Sequence, residues 1–345
     1  MRALVTGAAG FIGSTLVDRL LIEGHQVIGV DNLSTGVSAN LKYALDCEAL
    51  SSRFTLVQLD IQAPELAGVV AGANPDVIFH LAAQANLGEL VSDPLCCARS
   101  NVLGTINLCE ASCRAGVRKI VYAGCSGHDG TPIYPPAGKN TLVSPLSPYA
   151  AGKLAGEVYL HAYAETYDLA PICLALANVY GPRQRPHGPG AMIAILGSAM
   201  ITGRPFTVYR DNSVASDYVY VDDVVEAFMC AGSAPAEITG TYTIGTGRRT
   251  TVTDVQRLIC AVVDPPSAPG PAASRDCETH VAALGMSKAE KELGWKPAID
   301  LAEGIERTVR WLCATLEPGA HADAARAVRR APGDGILDDD LVVSG

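Results

Sequence analysis

The chain has 345 residues, 48% of them hydrophobic and 18% charged, with a formal net charge of −10. That length supports one large domain or two intimately joined ones around a well-buried core, and an acidic balance without a basic run argues against a nucleic-acid partner. No segment approaches the roughly 18 uninterrupted apolar residues of a membrane span. The opening MRALVTGAAGFIG runs from a strand into a glycine turn, unlike a secretion signal. Eleven cysteines are scattered without CxxC or Cys/His metal spacing. They read as small buried hydrophobes in a reducing cytoplasm, Cys109 and Cys113 sharing one helix face, and no metal site is expected.

Short β-branched runs at Ala3–Val5, Val27–Val30, Thr55–Val57, Val77–Phe79 and Ile120–Tyr122 alternate with amphipathic stretches of helix length. This alternation predicts βαβ units, and so a doubly wound α/β fold with a parallel, Rossmann-type sheet. A long helix is expected from Ser147-Pro148 to about Tyr167, then a strand over Ile172–Leu176 and a Gly/Pro/Arg loop at 181–190. Beyond it, short strands such as Phe206–Tyr209 and Thr241–Ile244 suggest a smaller second lobe interleaved with the first. The expected division is a nucleotide-binding domain over 1–175 with later returning segments, a substrate lobe over 176–316, and a disordered or loosely helical tail over 317–345, which ends in three consecutive aspartates, 338–340.

Residues 6–13 read TGAAGFIG, placing Gly7, Gly10 and Gly13 between a strand and a helix. Glycines at such a turn let the backbone approach a pyrophosphate lying at the positive helix N-terminus. The second strand ends on Asp31, at the distance expected for an acidic residue that binds a ribose hydroxyl pair. Its charge would repel a 2′-phosphate, which favours NAD over NADP. Asp60 and Ile61, ending the third strand, are placed to meet the adenine. His80, Leu81, Ala82 and Ala83, after the fourth, are placed to face the middle of the dinucleotide.

Together TGAAGFIG, DNLSTG (31–36), HLAAQ (80–84), Asn101, PYAAGK (148–153), NVYGPRQ (178–184), DYVYVDDV (217–224) and SKAEKELGW (287–295) resemble the extended short-chain dehydrogenase/reductase family, in its sugar-nucleotide epimerase/dehydratase branch. The resemblance spans residues 1 to about 316. It implies NAD as cofactor, with Phe11, Ile12, Asn32 and Asn101 beside the glycines and Asp31, and a nucleotide-sugar substrate bound by a homodimer. It makes Tyr149 the proton-transferring residue. Lys153, four residues on, shares its helix face; the ammonium and the positive nicotinamide ring should favour the phenolate.

The branch's third catalytic residue is a Ser or Thr hydroxyl. An ungapped match puts Cys125 there, and a shift of one puts Ser126 there; both stay open. A thiol is a poorer hydrogen-bond donor than a hydroxyl. Related 4,6-dehydratases carry an Asp-Glu pair directly after that position, where this chain has Ser126 and Gly127. The resemblance therefore implies a 4-epimerase, which needs neither carboxylate. A dehydratase eliminating water across C5 and C6 with Cys125 as acid or base is one alternative, and a non-catalytic NAD-binding relative another.

For the substrate, the resemblance assigns Asn178 to the sugar nucleotide and Arg275 to its diphosphate. A second arginine of the branch is Ser216 in this chain, and Arg210 is a candidate replacement. Ala282 stands where a tyrosine would close the pocket over the C2 substituent; a small residue leaves room for an acetamido group. The expected substrate is thus a UDP-hexose, UDP-N-acetylglucosamine and UDP-glucose foremost.

Overall fold

The protein is represented by a computed structural model that describes residues 1–85, 93–126, 147–187, 190–204, 215–263 and 287–316. Strands β1 (Arg2–Thr6), β2 (Gln26–Asp31), β3 (Phe54–Gln58), β4 (Val77–His80), β5 (Lys119–Cys125) and β6 (Ala170–Leu176) form a parallel sheet with a seventh strand, Gly240–Ile244. The order across the sheet is 240–244, β6, β5, β4, β1, β2, β3. The chain winds outward from β1 through β2 to β3, then returns to β4 and winds the other way. A crevice therefore opens beyond the carboxyl ends of β1 and β4, where ligands bind in such folds.

Each of the five apolar runs expected as strands lies in one. Thr241–Ile244 is different: it is not part of a separate lobe but pairs in register with Cys173–Leu176 and completes the main sheet. A short run with no helix pattern of its own cannot reveal which sheet it joins. Phe206–Tyr209 and the tail at 317–345 lie outside the described residues.

Alternation along the strands divides the sheet into two faces. Ala3, Val5 and Phe79 pack with helix α1 (Phe11–Ile22) and the helix Val221–Ser233. Leu4, Ile78, Ile120 and Tyr122 pack on the other face, where the helices Leu66–Ala73, Gly104–Ala115 and Pro148–Tyr167 lie. A third apolar cluster joins Ile193, Leu196, Val255, Ile259, Ile305 and Val309 around Tyr180, from the helices Met192–Thr202, Val252–Cys260 and Leu301–Thr315.

Asp223 ties the helix Val221–Ser233 to the segment that leads into the last helix. Its buried carboxylate accepts from the amides of Ala298 and Ile299, both at 3.0 Å, and its carbonyl accepts from Trp295 Nε1 at 2.7 Å. The DYVYVDDV and SKAEKELGW motifs thus meet as a structural clasp. Replacing Asp223 by alanine strips two inward-facing amides of their acceptor and should lower unfolding stability by about 2–4 kcal/mol, measured by urea denaturation. A loss within about 0.5 kcal/mol, the range of neutral surface changes, would contradict this account of the clasp.

Candidate active site

At the end of β1 the chain turns through Gly7 at φ +70°, and a Cβ there would lie 2.7 Å from the Ala82 amide nitrogen. Only glycine lets the turn pass so close to the strand-4 loop. Gly10 caps α1, and a Cβ on Gly13 would fall 2.0 Å from the Gly7 carbonyl oxygen. The result is a helix N-terminus whose free amides face the crevice.

Asp31 is held at the crevice edge, where Oδ2 accepts from the Ala9 amide at 2.9 Å and Oδ1 from the Leu33 amide at 2.8 Å. Asn32 Nδ2 donates to Asp60 Oδ2 at 2.7 Å, linking the ends of β2 and β3. One hollow is lined by Gly7, Gly10, Asp31, Asn32, Asp60, Ile61 and Leu81–Ala83; a second shares Gly7, Gly10, Leu81 and Ala83 and continues past Phe11, Ile12 and Gly13 to Cys125, Tyr149, Lys153 and Asn178. They hold about 630 and 1060 Å³, open mouths included, space enough for a dinucleotide with a sugar at one end. The glycine turn, the helix N-terminus and the fixed Asp31 carboxylate fit the pyrophosphate and adenosine ribose of NAD.

At the far end, Ser147 caps the helix Pro148–Tyr167 by accepting from the Ala150 amide at 3.1 Å. This start places Tyr149 and Lys153 on the wall facing β5. Cys125, the last residue of β5, lines the same hollow. Ser126 does not: its hydroxyl donates to the Leu176 carbonyl at 2.8 Å, and its amide bonds to the same oxygen at 3.0 Å.

Lys153 is 3% exposed, and its Nζ sits 4.2 Å from the centre of the Tyr122 ring, a cation–π contact. Tyr122 also donates its hydroxyl to the Lys153 carbonyl at 3.1 Å. Burial lowers the Lys153 pKa to about 8, partly offset by Cys125, Cys173, Glu157 and Cys97. Burial drives the Tyr149 phenol well above its ordinary value, and Cys125 and Cys97 push it further up. A lowered tyrosine is therefore not a property of the chain by itself.

Several expected residues act less directly than the sequence suggested. Asn101 is buried in a π-helical turn, Arg99–Leu103. Its Oδ1 accepts from the Gln84 amide at 2.8 Å, while its Nδ2 donates to the Gln84 carbonyl at 3.0 Å and to Cys97 Sγ at 3.2 Å. It fixes the loop after β4 rather than lining either hollow. His80 is sealed in the core between Thr6 Oγ1 (2.7 Å from Nδ1) and Thr105 Oγ1 (2.9 Å from Nε2). Burial, aided by the Lys153 charge, lowers its pKa to about 3, so it stays neutral. Asn178 lines the catalytic hollow and pairs its amide with the Asp217 carbonyl at 3.0 Å. Arg210, Arg275 and Ala282 lie outside the described residues. Ser216 lies in a two-residue strand paired with Thr250–Thr251.

Sequence reasoning overlooked Tyr122, read only as strand, and Cys97, whose thiol donates to the Pro148 carbonyl at 3.5 Å. It also missed Gln84, which lines the cofactor hollow, and Gln184, which lines the catalytic hollow and donates to the Val179 carbonyl at 2.8 Å. Tyr122 and Cys97 lie in no motif, whereas Gln84 and Gln184 end HLAAQ and NVYGPRQ; only the packing of the Tyr149 helix on β5 brings Tyr122 beneath the lysine.

Residues 3–245 match the model of the NAD dependent epimerase/dehydratase family. A UDP-glucose 4-epimerase of Mycolicibacterium smegmatis is 46% identical over 312 residues, covering 90% of this chain and 98% of that protein. The UDP-glucose 4-epimerase of Thermotoga maritima, solved with UDP-glucose, superposes with a TM-score of 0.81 at 35% identity, covering 92% of this chain and all of the other. That of Thermus thermophilus, solved with NAD, has a TM-score of 0.78 at 34% identity, covering 90% and 99%. With the glycine turn, Asp31 and the Tyr149–Lys153 wall in one trough, the chain belongs to the NAD-dependent epimerase/dehydratase family, as an enzyme of the epimerase type that uses NAD.

Proposed function

We propose that the chain is a UDP-hexose 4-epimerase with Tyr149 as its proton-transferring residue. One observation carries this reading: Tyr149, Lys153 and Cys125 converge on one hollow, while the next residue, Ser126, is a hydroxyl bonded to the backbone and not a carboxylic acid. The site has a group to move a proton on and off one oxygen, and lacks at that position the acid an elimination needs. The epimerase relatives support the same choice.

NAD bound along the trough supplies the transient oxidation of C4 and its reversal. The Lys153 ammonium stabilises Tyr149 as phenolate when the cofactor's charge is present. Tyr149 takes the proton of the C4 hydroxyl and returns it to the oxygen after the 4-keto sugar has turned its other face. Cys125 lies beside both groups and acts as the third hydrogen-bond partner of that oxygen. Phe11, Ile12 and Gly13 extend the cofactor wall toward the catalytic hollow. Asn178 faces the sugar nucleotide, Arg275 and Arg210 bind its diphosphate, and the third apolar cluster frames the substrate lobe. Ala282 favours UDP-N-acetylglucosamine alongside UDP-glucose.

Homodimerisation belongs to the same reading. Leu95, Leu103, Val158, Tyr159 and Tyr167 are exposed on the adjoining helical segments 94–115 and 148–167, an apolar surface suited to a second copy. The described cysteines are all free, which supports a reducing, cytoplasmic setting.

Incubation with UDP-glucose and with UDP-N-acetylglucosamine, followed by isomer separation and mass spectrometry, should give a second peak of unchanged mass. Loss of one water would instead mean elimination and make Cys125 the residue to explain, and no change with NAD bound would leave another substrate or a silent site. Tyr149→Phe should lower kcat by about 10²–10⁴-fold. Cys125→Ser should equal or exceed the parent enzyme, because a hydroxyl is the stronger donor; its inactivation would mean that the chemistry needs a thiol. Ala282→Tyr should suppress turnover of the N-acetyl sugar selectively, and equal loss for both sugars would remove the basis for that preference.

A further inference from the structure

We propose that Glu157 is a positioning residue for this reaction: its buried carboxylate is the counter-charge that keeps Lys153 an ammonium beside Tyr149, and the Thr241 hydroxyl holds that carboxylate in place. The proposal rests on the reading of Tyr149 and Lys153 as the proton-handling pair.

Glu157 follows Lys153 by one helical turn, so the two side chains share a face of the helix Pro148–Tyr167. Both are 3% exposed. A buried carboxylate is costly unless it is bonded and faces a positive charge, and Glu157 is bonded from a distant part of the chain. Thr241 Oγ1, on the last strand to join the sheet, donates a short hydrogen bond to Glu157 Oε1. His161 Nε2, on a half-exposed ring, lies 3.6 Å from the same oxygen. Burial pushes Tyr122 on β5 and Cys173 on β6 up, and Glu157 adds to both shifts.

The groups facing Lys153 are Tyr122 and Cys125 on β5, Cys173 on β6, His80 on β4, Cys97 on the segment 94–98, and Tyr149 and Glu157 on its own helix. Tyr122, Tyr149, Cys97 and Cys173, all raised by burial, are neutral at pH 7, and so is the buried His80. Among these described groups, Glu157 is the carboxylic acid. Neither epimerisation nor the family's Tyr-Lys pair calls for a carboxylate on this side of the helix. Its placement and its anchoring by Thr241 are what single it out.

The test is an NMR titration of Lys153 in full-length protein labelled with 13Cε-lysine, assigned by loss of its signal in Lys153→Arg. In Glu157→Gln the Lys153 midpoint should fall by about one pH unit, as expected for removal of one nearby opposite charge. The alkaline limb of turnover should move down with it. Thr241→Val should shift the midpoint the same way by less. An unmoved midpoint in folded Glu157→Gln, or a uniform loss of turnover at all pH values, overturns the proposal. If Glu157→Gln does not fold, an unmoved midpoint in Thr241→Val overturns it. The titration uses no substrate, so a failure to turn over UDP-hexoses would count against the proposed reaction and leave this measurement readable.

Discussion

A lysine ammonium buried against the face of Tyr122 is the constraint around which the catalytic end is built. Lys153 is a charge in a nearly dry place, lowered to about 8 by burial, and an aromatic face lies 4.2 Å from Nζ. The same tyrosine bonds the Lys153 backbone, so ring and helix are fixed to each other before any ligand arrives. The close fit leaves no slack: a Cβ added at Gly156 would lie 2.7 Å from the Tyr122 hydroxyl. Strand β5 contributes Tyr122 beneath the lysine and, three residues later, Cys125 at the cavity wall. One strand and one helix therefore set the relation between the charge, the phenol and the thiol.

The cofactor end follows from topology more than from any single bond. Reversal of winding between β1 and β4 opens the crevice, and the glycine turn lets backbone amides line it. Asn101 contributes from a distance, through its grip on Gln84 in the loop that carries Ala82 and Ala83. A π-helical turn at such a point matches the tendency of these irregularities to occur at functional sites. The chain and the cofactor are electrostatically complementary in one respect. Burial raises the Tyr149 phenol in the chain alone, and a positive nicotinamide ring beside it would favour the phenolate.

The sheet was legible because parallel strands buried on both faces are continuous β-branched runs, and five such runs separated by helices leave little freedom. Gly7, Gly10, Gly13 and Asp31 were legible because their backbone roles impose residue types at fixed spacing. The seventh strand was misread, since Thr241–Ile244 carries no mark of the sheet it joins. Choosing between Cys125 and Ser126 was beyond sequence because a shift of one residue exchanges them; the bond from Ser126 to the Leu176 carbonyl turns that hydroxyl away from the hollow. Asn101 and His80 were drawn toward the ligand by their motifs, yet both are saturated by internal partners. Tyr122, Cys97 and Glu157 were invisible as functional positions, because their importance comes from cross-chain packing and not from neighbours in sequence.

The 4-epimerisation proposed for this site requires the hydrogen removed from C4 to return to the same carbon. Turnover of UDP-glucose deuterated at C4 in ordinary water, with the product analysed by proton NMR and mass spectrometry, addresses it directly. The account predicts that the C4 epimer retains the label at C4, with no solvent hydrogen on the sugar carbons. Loss of deuterium to water, or solvent hydrogen at C5, would contradict it and point to carbon deprotonation or elimination in place of reversible oxidation at C4.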